Sequence, residues 1–236
     1  MTPRNVLRLA FAALALSAPL LAEDTPAAAG DEQALAAQLE SARQAGRWGE
    51  AGELARQLLA AHPQRWEYLR GLAESQFHAA QFADAQPSYA KAVEALSKAP
   101  GGGDREALLG MLIDEGDCLR RLGKFAEAVA VYDQAAPLSP DPGSFFFNLC
   151  TAEYVRKNKE QALIFAEKTI KADPKHADAY YIKGSLLADK GKPDPDSGRF
   201  VLPDGTVEAL KKYLELKPDG SHANAVRNML SMFEQQ

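Results

Sequence analysis

Histidine and cysteine, which supply many metal ligands in proteins, are scarce in this sequence. Its 236 residues include only four histidines and two cysteines. The histidines are His62, His78, His176 and His222, each in a different segment of the chain. No second histidine stands at ligand spacing on a shared helix, and the cysteines do not form a close pair. The spacing therefore argues against a zinc site.

The sequence also lacks the short motifs that identify common catalytic sites. The three glycines at 101–103 are not followed by the Lys and Ser or Thr of a phosphate-binding loop. No nucleophile elbow or metalloprotease motif is present. Asp194, Asp196 and Asp204 lack the alternating acidic pattern, ending in Glu, that a calcium loop needs. We therefore predict no catalytic residue, no cofactor and no bound metal.

Basic residues are not in excess, and this bears on the kind of partner. There are 27 Lys and Arg against 32 Asp and Glu, which gives a formal charge of -5. A domain that neutralises phosphates usually carries a basic stripe and a high pI, so nucleic acid is not an expected partner. With 46% hydrophobic and 25% charged residues the chain has the composition of an ordinary globular protein.

Residues 1–22 have the pattern of a signal peptide. Arg4 and Arg8 precede an apolar run, Leu9 to Leu21, which has no acidic residue and is shorter than the ~20 residues of a spanning helix. We predict cleavage after Ala22 and a periplasmic or secreted protein with no membrane span after cleavage. The alternative is an uncleaved membrane anchor. Residues 23–30, rich in alanine, are expected to be a flexible leader.

An internal repeat runs through the rest of the chain. Three series of residues recur at separations of 34, 43, 34 and 47. They are Ala51, Ala85, Ala128, Ala162 and Ala209; Ala55, Tyr89, Tyr132, Ala166 and Tyr213; and Pro63, Ser97, Pro140, Pro174 and Ser221. Alanines alone could align by chance, but aromatic residues and prolines in the same register indicate a 34-residue repeat with two insertions.

A 34-residue period with a small residue, an aromatic four residues later and a terminal proline resembles the tetratricopeptide repeat. Each unit also reads as two amphipathic helices closed by a residue that cannot continue a helix. The resemblance covers roughly Asp31 to Gln236. It implies an all-α, right-handed solenoid of about five helix-turn-helix repeats with a C-terminal capping helix, in an exported bacterial protein.

The repeats and insertions divide the chain further. We predict repeats 1–2 over 31–97, repeats 3–5 over 107–220 and a capping helix over 221–236. The first insertion is a glycine-rich linker at 98–106, which is the best candidate for a hinge. The second, at 192–206, contains turn residues around a short extended segment and predicts a small hairpin or loop between the helices of repeat 5.

The two cysteines lie within the repeats. Cys118 and Cys150 are 32 residues apart on the first helices of adjacent repeats. A disulfide is permitted in an exported protein, but packed helix axes are usually ~8 to 10 Å apart, which is wide for a disulfide. Two free core residues are the favoured reading and a disulfide is the alternative. Cys150 occupies a position where small residues such as Gly116 are expected, so repeat 4 is expected to pack more loosely.

The resemblance also implies a binding surface, because the first helix of each repeat lines the concave side in this family. We call this surface the groove. By spacing, the groove residues most suited to contact a partner are Arg70, Phe77, Ile113, Asp117, Arg120, Phe147, Thr151, Tyr154 and Tyr181. Arg199 and Phe200 of the second insertion are further candidate contacts. For the aromatic residues of the groove, packing between helices is the competing interpretation.

The pattern thus favours a non-enzymatic scaffold of the cell envelope that binds a partner polypeptide in the groove. The carboxylate-clamping residues known in this family are missing, so a chaperone tail is not an implied ligand. The alternative is a small-molecule or carbohydrate binding module, or an accessory subunit of an envelope enzyme, which would use the aromatic C-terminal half of the groove.

Overall fold

The computed structural model describes residues 26–100, 103–196 and 200–234. Its described part is a succession of antiparallel helix pairs with one small hairpin. The helices are α1 (Pro26–Gln44), α2 (Trp48–Ala61), α3 (Trp66–His78), α4 (Phe82–Ser97), α5 (Arg105–Arg121), α6 (Phe125–Ala135), α7 (Pro142–Val155), α8 (Lys159–Ala172), α9 (Ala177–Ala188), α10 (Thr206–Leu216) and α11 (Ala223–Glu234). The pairs α1/α2 to α9/α10 are the five predicted repeats, and α11 follows them.

The repeated sequence positions form the core. The five alanines of the first series are buried, as are the three tyrosines Tyr89, Tyr132 and Tyr213 of the second. The buried residues form clusters that each join neighbouring helix pairs. A stack in which each repeat contacts only its neighbours is a solenoid, so the predicted helical solenoid is confirmed.

Small residues allow the two helices of a repeat to approach closely. A Cβ added to Gly116 would lie 2.5 Å from the ring of Tyr132, and one added to Gly184 would lie 2.6 Å from Leu210. The two helices of repeat 4 also approach closely, although looser packing was predicted there. The Sγ of Cys150 lies 3.4 Å from the carbonyl oxygen of Ala162 in α8, because a cysteine side chain is itself small.

The turn between the two helices has the same conformation in the first four repeats. The residue at one position of the turn has positive φ, between 58° and 75°: Gly46, Ala80, Gly123 and Lys157. These positions follow the repeat separations of 34, 43 and 34 residues. A left-handed residue reverses the chain after a helix, and the repeat requires it even where glycine is absent.

The first described helix begins inside the segment predicted to be a flexible leader. Residues 26–30, assigned to a flexible leader over 23–30, belong to α1. Proline is well suited to the first turn of a helix because its missing N–H has no partner there, and the alanines that follow have the highest helix propensity. The predicted signal peptide and residues 23–25 lie outside the described residues.

The two insertions have different structures. The helices on either side of the linker at 98–106 pack against each other, and Leu96 of α4 shares a core with Met111 of α5. Stacking of the repeats therefore continues across this linker. The second insertion contains the predicted hairpin: β1 (Lys192–Pro193) pairs antiparallel with β2 (Phe200–Val201). Positions 101–102 and 197–199 lie outside the described residues.

The junction between repeats 3 and 4 is built differently from the others. The backbones of α6 and α7 stay apart, and a 3₁₀ turn, Ala136–Leu138, packs between α5 and α7. Aromatic side chains fill the space: the ring of Tyr132 lies 6.2 Å from that of Phe145 and 5.9 Å from that of Phe165. This junction therefore depends on side-chain volume more than on close backbone approach.

Candidate functional site

The groove is formed by α1, α3, α5, α7 and α9, and two of these helices have strong N-terminal caps. The carboxylate of Asp104 accepts hydrogen bonds from the backbone N–H groups of Glu106 and Ala107, both at 3.0 Å. The carboxylate of Asp141 accepts one from the N–H of Ser144 at 3.0 Å. Such caps satisfy backbone groups that have no partner within the helix, and so they define where α5 and α7 begin.

A buried carboxylate joins the first two groove helices. Glu74 of α3 accepts hydrogen bonds from Arg43 of α1, at 2.8 Å from Nη2, and from Arg70, at 2.7 Å from Nε. Burial alone would raise the pKa of Glu74, but the hydrogen bonds and charges of the two arginines hold it below its ordinary value. Arg70, a predicted partner contact, is therefore already engaged within the groove.

A second buried carboxylate joins α5 to α7. Glu153 is 2% exposed and accepts hydrogen bonds from Arg120 at 3.3 Å and from Asn158 at 2.6 Å. Arg120 also pairs with Asp117, at 3.1 Å, and Asp117 accepts a hydrogen bond from the hydroxyl of Tyr132 at 2.6 Å. Arg120 and Asp117 were both predicted contacts. Arg120 joins repeat 3 to repeat 4, and Asp117 holds Arg120 and Tyr132 within repeat 3.

A cavity of about 330 Å³ opens into the groove between repeats 1, 2 and 3. It is lined by Glu40, Arg43, Gln44, Trp48, Glu74, Phe77, His78, Tyr89 and Asp114. One wall is a pair of parallel rings, since the indole of Trp48 stacks on the imidazole of His78 at 3.8 Å. We call this space the acidic cavity, because three carboxylates and one guanidinium line it.

Among the carboxylates of the acidic cavity, Asp114 has the most strongly shifted pKa. Burial raises its pKa to about 6, and the negative charges of Glu74 and Asp117 act in the same direction. The hydroxyl of Tyr89 faces the carboxylate and partly offsets this effect. A carboxylate held in this way is a candidate for ligand recognition, since perturbed groups in clefts often are functional.

Two further cavities extend along the same helices. One, of about 260 Å³, lies between α1 and α3 beside Ala36, Arg65 and Tyr68. The other, of about 460 Å³, lies between α3 and α5 and is lined by Arg70, Gly110 and Ile113 among others. The N-terminal half of the groove is thus a row of open concavities of the size that holds single side chains or small groups.

The aromatic residues of the C-terminal half are partly used in packing. Phe147 contacts the ring of His176, with centroids 4.1 Å apart. Tyr181 stacks on the ring of His222 at 3.8 Å. Both also pack against buried core residues. Tyr154 is different, since 39% of its surface is exposed. Packing between helices therefore accounts for one face of Phe147 and of Tyr181.

The remaining predicted contacts lie in varied surroundings. Phe77 lies edge-on to Phe82 and Tyr89 and also lines the acidic cavity. The hydroxyl of Thr151 donates to the carbonyl oxygen of Asn148 within α7. Phe200 is 40% exposed, and its ring lies over Gly191. Arg199 lies outside the described residues.

Sequence reasoning missed several residues of the acidic cavity, among them Trp48, His78 and Asp114. Trp48 occupies a repeat position that Phe82 and Phe125 fill in the next two repeats, so the repeat pattern does not distinguish it as a site residue. Asp114 and His78 each follow a groove residue by one position, which a spacing rule passes over. A search for acidic residues beside groove positions, on an otherwise apolar helix face, would have found Asp114.

Two absences hold for the described part of the chain. Residues 26–100, 103–196 and 200–234 contain no group of three or more His, Cys, Asp or Glu side chains that could hold a metal ion. Within the same ranges no helix combines the length and the apolar character that a membrane crossing requires.

Comparison with known proteins gives the same fold. Residues 67–141 match the family model described as tetratricopeptide repeat. A TPR repeats protein from Bacteroides fragilis superposes with a TM-score of 0.54, at 14% identity over 87% of this chain and 98% of that one. A crystal structure of MamA protein superposes with a TM-score of 0.51, at 19% identity over 80% of this chain and 93% of that one. No curated protein matches the chain in sequence.

These observations define the class of protein first and its family second. The stacked helix pairs, the small residues at their crossings and the linear core make the chain a helical-repeat solenoid. Within this class, residues 67–141 match the tetratricopeptide repeat that the register resembles, and the chain has the fold of solved tetratricopeptide-repeat proteins.

Proposed function

We propose that the protein is a non-enzymatic scaffold that binds an extended segment of a partner polypeptide along the groove. The observation that carries this proposal is the row of three open cavities, of 260 to 460 Å³, along α1, α3 and α5. Their charged walls include Glu74, which pairs with Arg43 of the preceding repeat and with Arg70 of its own helix. A groove fixed before binding loses little conformational entropy when the partner binds, which favours recognition of an extended segment.

The groove can be blocked without disturbing the core. A Cβ added to Gly110 meets no atom within 4 Å, and Gly110 lines the cavity between α3 and α5. Gly110→Phe should therefore fill the groove while the fold persists. Gly49 of α2 is exposed and equally unobstructed, so Gly49→Phe is the matched control.

The experiment is a pull-down from envelope extract with the wild type and both variants, each checked first for an unchanged melting temperature. We expect Gly110→Phe to retain at least about tenfold less of a captured partner, because the ring occupies the partner's place. Gly49→Phe should retain as much as the wild type. Equal retention by the two variants, or no partner for the wild type, would contradict the proposal.

We further propose that the protein acts in the cell envelope after export. The support is the sequence pattern of residues 1–22, with Arg4 and Arg8 before an apolar run. The mature protein is then expected to begin near Glu23. Mass spectrometry of the protein from the periplasm or the medium tests this, and recovery only of an intact chain from Met1 would overturn it.

A further inference from the structure

The acidic cavity has one more carboxylate than the two arginines beside it can balance. Arg43 pairs with both Glu40 and Glu74, and Arg70 pairs with Glu74. Asp117, nearby on α5, pairs with Arg120. Asp114 forms no ion pair with any residue in the described part of the chain. Because both arginines are paired with Glu40 and Glu74, Asp114 receives only a weak attraction, from Arg70, and the cluster keeps one excess negative charge.

Uncompensated charge in a partly buried site is costly unless a ligand supplies the missing partner. A carboxylate withdrawn from water loses hydration, and an opposite charge close by restores much of that loss. The groups that face Asp114 from the neighbouring helices do so only in part. Glu74 on α3 and Asp117 on its own helix repel it, and Tyr89 on α4 offers a hydroxyl. Arg70 on α3 attracts it, but this is the smallest of these effects, and Arg70 is already paired with Glu74.

The other wall of the acidic cavity suits a cation with an aliphatic stem. The stacked rings of Trp48 and His78 line the cavity together with the carboxylates, and Phe77 adds apolar surface. Indole is the aromatic ring that attracts cations most strongly, and a Lys or Arg side chain can lay its methylene groups against it. The volume of about 330 Å³ accommodates one such side chain.

We propose that the acidic cavity binds a lysine or arginine side chain of the partner segment, with Asp114 as its carboxylate partner and Trp48 as its aromatic wall. The inference rests on the proposed function, since it names the chemistry that the groove recognises in a bound polypeptide. It predicts that the segment crossing repeats 1 to 3 carries a basic residue at this point.

The test uses Trp48 as a reporter. The chain has two tryptophans, and Trp66→Phe leaves Trp48 alone. Two short peptides with capped ends and otherwise uncharged residues are titrated into this protein. One has a central lysine and the other has norleucine there, which has the same stem without the ammonium group. We expect the fluorescence of Trp48 to saturate at about tenfold lower concentration with the lysine peptide.

Two variants identify the carboxylate. Asp114→Asn should reduce the preference for lysine over norleucine to within about twofold, because the ion pair is lost while the cavity keeps its shape. Asp84→Asn, an equal charge change on the exposed face of α4, should leave the preference intact. The inference is overturned if the two peptides behave alike in the wild type, including no response to either, or if Asp114→Asn keeps the preference.

The experiments distinguish failure of this inference from failure of the proposed function. If Gly110→Phe abolishes partner retention but the peptides behave alike, the scaffold function stands and the basic-residue specificity is wrong. If the peptides are distinguished but Gly110→Phe retains the partner, the cavity binds cations and the groove does not hold the partner.

Discussion

At the scale of single residues, the groove contains a carboxylate that lowers the stability of the fold. The pKa of Asp114 is about 6 in the folded chain and near 3.8 when solvent surrounds it. Between these values the folded state binds the proton more tightly than the unfolded state. The free energy of unfolding therefore falls as the pH rises from about 4 to above 6, as far as this group is concerned.

The first prediction follows from this difference. Asp114→Asn should raise the free energy of unfolding at pH 7.5 by about 1 to 3 kcal/mol, because an amide in this place has no charge to desolvate. At pH 4 the gain should be largely lost, since the aspartic acid is then protonated. Urea unfolding at both pH values measures this, with Asp84→Asn as the control for general charge effects. An equal change at the two pH values would refute the assigned cause.

A second prediction concerns the helix crossing in repeat 3. Gly116→Ala should lower the free energy of unfolding by about 1 to 3 kcal/mol, because its Cβ would overlap the ring of Tyr132. Gly110→Ala, on the same helix, should be neutral or stabilising by up to ~1 kcal/mol, since its Cβ has space and alanine favours helix. Denaturant melts of the two variants should shift in opposite directions, and a loss of stability in both would contradict the proposed crossing.

At the scale of helices, the junction between repeats 3 and 4 depends on aromatic volume. Phe165 of α8 is fully buried, and its ring lies 5.5 Å from that of Phe125 and 5.9 Å from that of Tyr132. The backbones of α6 and α7 do not approach closely here, so neighbouring helices cannot easily close a gap left by a smaller side chain.

The third prediction is a large and local loss of stability at this junction. Phe165→Ala should lower the free energy of unfolding by about 3 to 5 kcal/mol through the cavity it creates. Ile164→Ala, one residue away but 38% exposed, should cost less than about 1 kcal/mol. Hydrogen exchange should accelerate first in α6 and α7 of the Phe165 variant. A cost as small as that of the Ile164 variant would mean that the junction can collapse.

At the scale of the whole molecule, the two buried cysteines can be used to detect unfolding of the stacked repeats. Cys118 and Cys150 are free and fully buried, and they lie in different core clusters. The reading of two core residues is thus confirmed in this structure, and burial raises the pKa of each thiol to about 12. Only the thiolate is a nucleophile, so both cysteines are protected from reaction by their burial and by their raised pKa.

The fourth prediction is that neither thiol reacts with a thiol reagent at pH 8 while the chain is folded. Both should react when denaturant unfolds the stack, and the two should become reactive over one transition if the repeats unfold together. Ellman's reagent with increasing urea measures this. Rapid labelling of one thiol in native buffer would show that its half of the solenoid opens independently.

The sequence by itself determined the elements of this protein, and the tertiary structure decided the site. The 34-residue register identified the helices, the buried tyrosines and the close crossings, because these follow from local periodicity and residue size. Charge pairing and ring stacking instead depend on which side chains of adjacent repeats meet. Arg43 thus reaches Glu74 and Phe147 packs on His176, while Asp114 lines the acidic cavity beside arginines that are paired with other carboxylates. Spacing along a chain does not specify distances between repeats, and binding depends on those distances.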